Sequence, residues 1–222
     1  MSWWQRLWHG PSSPSLQEGL RAVNLTIPGW IEDAPSGDLR VWRSSQGDVL
    51  SLAEQRGSLG LPSLGDTVGL QHWCRAMAER RSAGLIEVRV NTGELGATVS
   101  LIFKRLEGDA YIFTGMLLIP SREASRVWTV VSGECGTTGV REATVAAQLI
   151  NAGRLTVEDY RRSWAQDPYE ATYAGVDRSV LRFVSDDERY DDQFPEDPLS
   201  KVRRVLAALP SSVRLELGRS ES

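Results

Sequence analysis

The chain is short of the residues that build most covalent and metal-centred sites. Among 222 residues there are two cysteines, Cys74 and Cys135, and two histidines, His9 and His72. Two cysteines cannot make a disulfide framework, and a chain long enough to bury a real core does not need one. His72 and Cys74 are the only close His/Cys pair. Two positions apart on a helix sets them roughly 200° apart around its axis, so they cannot face one metal ion. Neither a metal nor a cofactor is expected. Lysine is nearly missing too, occurring only at Lys104 and Lys201. That bias reads as codon usage of a GC-rich genome rather than selection for phosphate-reading guanidinium groups. With 25 basic and 29 acidic residues the net charge is −4, and no basic patch stands out, which argues against a nucleic-acid partner. No run approaches the ~20 apolar residues of a membrane span. Residues 1–10 lack the apolar core and cleavage site of a signal peptide. Together these absences point to a reduced, cytoplasmic setting.

What is present is the material of a packed domain, since apolar residues reach 41% and charged residues 24%. The first fifteen residues stand apart, and are expected to form a flexible Trp-rich segment. Trp3, Trp4, Leu7 and Trp8 precede a stretch rich in Pro and Ser, and Trp4, Leu7 and Trp8 fall at helical spacing. Residues 16–222 are expected to form one α+β domain, with 157–222 as a C-terminal extension ending in a helix. Pro28-Gly29-Trp30 punctuates the entry to a hairpin with strands 39–43 and 49–52. A helix follows, capped by Asp66 or Thr67, whose buried stripe is Leu70, Trp73, Cys74 and Met77. Arg75, Glu79 and Arg80 fall outside that stripe. Residues 85–90 then read as a returning strand.

Alternation is clearest at 98–106, with Val99, Leu101 and Phe103 on one face and Ser100 and Lys104 on the other. The more uniformly apolar run 111–119 predicts a central strand, and 126–132 completes an antiparallel meander. A helix at 141–151 follows, with Gly153 closing it. Beyond a helical turn near 157–164 and a short strand at 180–184, Asp197 and Pro198 open a final helix. Its stripe is Val202, Val205, Leu206 and Leu209, and Pro210 should end it. Trp73, Leu101, Phe103 and Trp128 are the expected core.

The order hairpin, helix, strand, meander, helix resembles the PsbP-like fold family, on Pro28-Gly29-Trp30, the helix at 67–81, and the meander 98–132 leading into the helix at 141–151. The resemblance covers about residues 20–152. It implies an antiparallel sheet sandwiched by helices, a fold shared by photosystem subunits, a Ran-binding import factor and many bacterial proteins. Those members mostly bind or adapt, so the resemblance implies binding rather than catalysis, and it carries over no catalytic residue. The part at 167–204 is similar to segments of bacterial proteins of unknown function and implies no activity.

Three stretches invite a chemical reading. Gly133-Glu134-Cys135-Gly136 lies at a strand-to-helix turn, where a nucleophile elbow exposes its side chain. The second glycine of the elbow is Thr137 here, neither histidine is an evident partner, and Glu134 opposes a thiolate. The same turn fits neither phosphate-binding glycine pattern. The acidic stretch at 186–197 lacks the glycine hinge and spacing of a calcium loop, and reads as solvated and helix-capping charge, or as a surface for a basic partner. The N-terminal indoles, half-buried in a membrane, gain roughly 7–8 kcal/mol. Ordering eight residues at ~1 kcal/mol each cancels most of it, so stable membrane association is not expected. Trp3, Trp4, Leu7 and Trp8 are instead expected to dock on a protein, a partner or this chain itself. The function so expected is that of a non-catalytic binding or adaptor protein. The alternative is a small enzyme using Cys135 or the acidic stretch.

Overall fold

Strand alternation and two amphipathic helices account for the body of the molecule. A computed structural model describes residues 23–33 and 39–215. Its strands are β1 (Val23–Leu25), β2 (Trp30–Glu32), β3 (Leu39–Ser44), β4 (Val49–Arg56), β5 (Gly84–Gly93), β6 (Gly96–Glu107), β7 (Ala110–Ile119) and β8 (Ala124–Gly133). Shorter ones follow: β9 (Ala165–Gln166), β10 (Arg182–Phe183) and β11 (Val213–Leu215). The helices are α1 (Thr67–Glu79), α2 (Val140–Asn151), α3 (Val157–Ser163) and α4 (Pro198–Ser212). Seven strands form one antiparallel sheet in the order β2-β3-β4-β8-β7-β6-β5, while β1 pairs with β11 and β9 with β10. The fold is therefore α+β, an antiparallel sheet with helices on both faces.

Register shows why both faces need cover. One row crosses the sheet as Val41, Ser51, Thr129, Met116, Leu101 and Val88. The next, pointing the opposite way, runs Arg40, Leu52, Trp128, Leu117, Ser100 and Arg89. Over the first face lies α1, packing Leu70, Cys74, Met77 and Ala78 on Leu85, Val99, Leu101 and Phe103. Asp66 caps it by accepting from Gly69 N at 2.9 Å. Over the second lies α4, packing Leu199, Val202, Leu206 and Leu209 on Leu50, Leu52, Leu117 and Trp128. It comes close enough that a Cβ on Gly115 would sit 2.5 Å from Val202 Cγ1. Each side chain buried in this way contributes about 1.5–3 kcal/mol relative to exposure. Asp197 caps α4 with Pro198 as first residue, as expected, but the helix runs through Pro210 to Ser212. A proline in the last turn gives up one terminal bond and does not stop the chain there. Trp73 is only half-buried, because the stripe of α1 centres on Leu70, Cys74, Met77 and Ala78 and leaves the indole on its flank.

The C-terminal region from 164 to 197 wraps the β5 edge of the sheet from one face to the other. On the α1 side Arg75, expected outside the buried stripe, is buried. Its guanidinium donates to both carboxylate oxygens of Asp167, at 2.8 and 3.2 Å, and to Glu170 at 3.0 Å. At the edge the strap crosses Gly84 so closely that a Cβ there would lie 2.0 Å from the Val180 carbonyl oxygen. On the α4 side it reaches Lys104. The expectation that this lysine shares a polar face fails: its side chain is 0% exposed. Its Nζ lies 2.6 Å from Asp186 and 3.2 Å from the centre of the Phe183 ring. Burial pushes its pKa below the ordinary lysine value against the pull of Asp186. A third cluster, Val145 and Leu149 of α2 with Trp164, Leu181 and Phe183, secures the strap on its own helix.

Candidate functional site

An edge strand exposes a row of backbone groups, and what covers them decides whether another chain can pair there. β5 ends the sheet. The strap covers its first half, and the Tyr169 hydroxyl accepts from Val88 N at 2.7 Å and lies 3.4 Å from Val88 O. Val88 therefore points its N–H and C=O away from β6. In an antiparallel pair that orientation alternates, so the N–H and C=O of Val90 and Thr92 point outward as well. Neither residue finds a hydrogen-bond partner for these groups among the described residues. The Val90 side chain belongs to the α1 face and is 42% exposed.

On the α4 face the same stretch borders an open cleft of about 570 Å³. Arg89, Asn91, Ser100 and Leu117 make its floor. One wall is α4, through Arg203, Arg204, Leu206, Ala207 and Pro210; the other is Glu188, Asp191, Asp192 and Pro195. Ion pairs hold most of the charge in place. Arg203 bridges Glu87 and Asp191, both at 2.9 Å. Arg89 donates to Glu188 and, at 3.3 Å, to Glu87. Its hydrogen bond keeps Glu188 below the usual carboxylate range. Arg204 donates to the Pro195 carbonyl. Asp192 is exposed and has no ion-pair partner among the described residues.

The acidic stretch that forms one wall is solvated in part, with Glu188, Asp192 and Glu196 exposed, and the rest is paired inside the fold. Asp186 is buried against Lys104, and Asp191 is shared by Arg203 and Arg141. Arg141, itself buried, also donates to Asp197 at 3.2 Å, to Ser200 Oγ at 2.8 Å and to the Ser185 carbonyl at 2.7 Å. Buried cations from α2 and β6 require partners, and this stretch supplies them. Asp197 does cap α4, accepting from Leu199 N at 3.0 Å, and burial raises its pKa despite Arg141.

Cys135 is exposed on the turn after β8, 3.7 Å from the Gly133 carbonyl oxygen, and does not line the cleft. Its neighbour Glu134 closes that turn by accepting from Tyr111 N at 2.8 Å and from Gly139 N at 2.7 Å. Gly139, the N-cap of α2 at φ +69°, has thus given Glu134 the N–H that a phosphate would need. Cys74 is buried, and burial pushes its thiol up to about 12, while His72 is exposed. Trp3, Trp4, Leu7 and Trp8 lie outside the described residues. Among the described residues no three His, Cys, Asp or Glu side chains are placed to hold a metal ion, and no helix is long and apolar enough to cross a membrane.

No protein-family model matches the chain, and no curated protein matches it. Among solved structures it is similar to the Saccharomyces cerevisiae Ran-binding protein Mog1p, with 10% identity and a TM-score of 0.39 over 61% of this chain and 80% of that one. It is similar also to a mutant of protein Mog1, with 11% identity and a TM-score of 0.38 over 60% of this chain and 80% of that one.

Proposed function

We propose that this chain is a cytoplasmic protein-binding module of PsbP-like fold, an adaptor rather than a catalyst, that takes an extended segment of another protein onto the open half of β5. One observation carries the reading. The Tyr169 hydroxyl satisfies Val88, and the next outward-facing backbone groups, those of Val90 and Thr92, alternate along the edge with Arg89 and Asn91, which line the cleft. A strand added at an edge gains main-chain hydrogen bonds, and its alternate side chains fall on the two faces of the sheet. Here one set enters the cleft beside Arg89 and Asn91, and the other covers Val90.

Magnitudes say that the edge does not act alone. Two N–H and two C=O groups at a net ~0.5–1.5 kcal/mol each supply about 2–6 kcal/mol, which corresponds to an affinity between about 30 mM and about 40 μM. The side chains of the added strand that enter the cleft must supply the rest.

The test uses proline at the edge. The N–H of Val90 faces away from β6, so Val90→Pro removes no bond of the sheet. Peptides selected from a random library against the wild-type protein should lose at least tenfold in affinity for Val90→Pro, whose melting temperature stays within a few degrees of wild type. Selected peptides that bind Val90→Pro as well as wild type would overturn the reading. Sedimentation of the purified chain tells a second copy from a foreign partner.

A further inference from the structure

The cleft has an occupant within this chain. We infer that residues 3–8 fold back onto it when no partner is bound, with the indoles of Trp4 and Trp8 against its arginines. The inference rests on the binding reading above and adds its regulation: the chain's own segment competes with the incoming strand.

The position of the chain entry is the first argument. Residues 1–22 precede β1, which pairs antiparallel with β11 directly after α4, and Thr26 N donates to Ser212 O at 3.1 Å. The segment therefore joins the body at the C-terminal end of α4, whose last turns, through Ala207 and Pro210, wall the cleft. About fifteen residues separate Trp8 from Val23, a reach of up to ~50 Å, against a helix only about 22 Å long. A tether of this length holds its end near the cleft at roughly millimolar effective concentration.

Chemical fit is the second. Arg89, Arg203 and Arg204 stand around apolar surface from Leu117, Leu206 and Pro210. Guanidinium beside apolar surface suits an indole, because tryptophan is the strongest cation–π partner among side chains. The fold already uses such contacts, with Arg40 4.9 Å from the Trp42 ring centre and Arg75 4.8 Å from that of Tyr173. Charge agrees too. Arg6 is the only arginine or lysine in residues 1–20, and the rim of the cleft carries Asp192, which has no ion-pair partner among the described residues. Trp4 and Trp8 stand four apart in the sequence, the spacing at which two side chains can reach one surface together. Seated there, they fill the space above Arg89 and Asn91 that the side chains of an added strand need.

The test places a bimane fluorophore, which tryptophan quenches on contact, at exposed Gln193→Cys, next in sequence to Asp192 of the cleft wall, in the full chain with Cys135→Ser. The doubly substituted Trp4→Phe, Trp8→Phe chain should be at least twofold brighter than the same labelled chain with its tryptophans. Ala207→Phe, which plugs the cleft from an exposed position on α4 with a ring that does not quench bimane, should brighten it too. Equal brightness with and without Trp4 and Trp8 would overturn the inference, and so would quenching that fades on dilution, which would assign the segment to a second copy. No peptide is present in this measurement, and Val90→Pro should leave the quenching unchanged, so it can succeed where the strand-addition reading fails. Where both hold, the selected peptides bind the Trp4→Phe, Trp8→Phe chain several-fold more tightly, because their competitor is gone.

Discussion

Phe103 and Lys104 are neighbours on β6, both withdrawn from water, and held by opposite chemistry. Phe103 points into the face beneath α1 and packs among Leu85, Leu101 and Met77. Lys104 points into the other face, beneath the strap, and is held by one carboxylate and two aromatic rings. The pair stands for two regions of the molecule. The sheet with α1 and α4 is secured by apolar burial, which is non-directional and spread over many residues. The strap is also secured by buried cations, Arg75, Lys104 and Arg141, each tied to particular carboxylates. A buried ion pair is a weak source of net stability, yet it is costly to break from one side, because the partner keeps its charge without compensation. The body should therefore resist change gradually, whereas the strap should hold or release as a unit.

That contrast is testable residue by residue. Phe103→Ala should cost ~3–5 kcal/mol, measured as a shift of the urea midpoint, and should lower the whole molecule in one transition. A loss under about 1 kcal/mol would mean that the register of β6 is misassigned. Lys104→Met keeps most of the aliphatic volume but leaves buried Asp186 without its counter-charge, for a cost of about 3 kcal/mol. Hydrogen exchange should then rise first across residues 164–197 while the sheet amides stay protected. Adding Asp186→Leu should recover most of the loss. If Lys104→Met is nearly neutral by itself, the ion pair does not hold the strap and the contrast collapses. Smaller again is Gly84→Ala. Its methyl group meets the Val180 carbonyl, so the strap must shift, at about 1–3 kcal/mol, with faster exchange confined to residues near 180.

The same contrast explains what could be read from the sequence. Apolar burial writes itself at fixed intervals, so Leu70, Cys74 and Met77 announced α1, and Val99, Leu101 and Phe103 announced β6. Asp197 with Pro198 announced α4, because a cap and its helix are adjacent. Ion pairs across the fold leave no such interval. Lys104 meets Asp186 at a separation of 82 residues, and Arg75 meets Asp167 at 92. A cation in an alternating strand or on a helix flank reads as solvent-facing until its distant partner is known. The lone lysine inside an apolar strand was the available clue. The short strand expected at 180–184 shrinks to Arg182–Phe183, because side chains of Asp177 and Asp186 bind nearby backbone N–H groups at 2.8 Å and favour 3₁₀ turns on either side. The cleft was out of reach for another reason. Its floor and walls come from β5, β6, β7, α4 and the strap, and strand order is not encoded in any period.

The smallest expected effect lies on the surface of the strap and concerns acid. Asp187 is held down to about 2, first by the hydrogen bond from Arg189 at 3.0 Å, with Arg182 adding its charge from 3.4 Å. A carboxylate whose folded pKa lies below its unfolded value near 3.9 gives stability that is fully present above about pH 4. That contribution is lost as pH falls from about 4 through about 2, since the unfolded chain takes up the proton first. Asp197 runs the other way. Burial raises its pKa, so its ionised form opposes folding, and acid relieves that penalty. The pair at Asp187 is open to solvent, and screening holds its share below about 1 kcal/mol. Asp187→Asn keeps an oxygen to accept from Arg189 N, at 3.1 Å in the native turn, and removes only the charge. Urea midpoints taken between pH 6 and pH 2 should therefore fall less steeply for Asp187→Asn than for wild type, with the two curves apart at pH 6 and converging below about pH 4. Curves that stay parallel across that window would show that surface charge on the strap contributes nothing, and that its hold rests on the buried cations and aromatic rings alone.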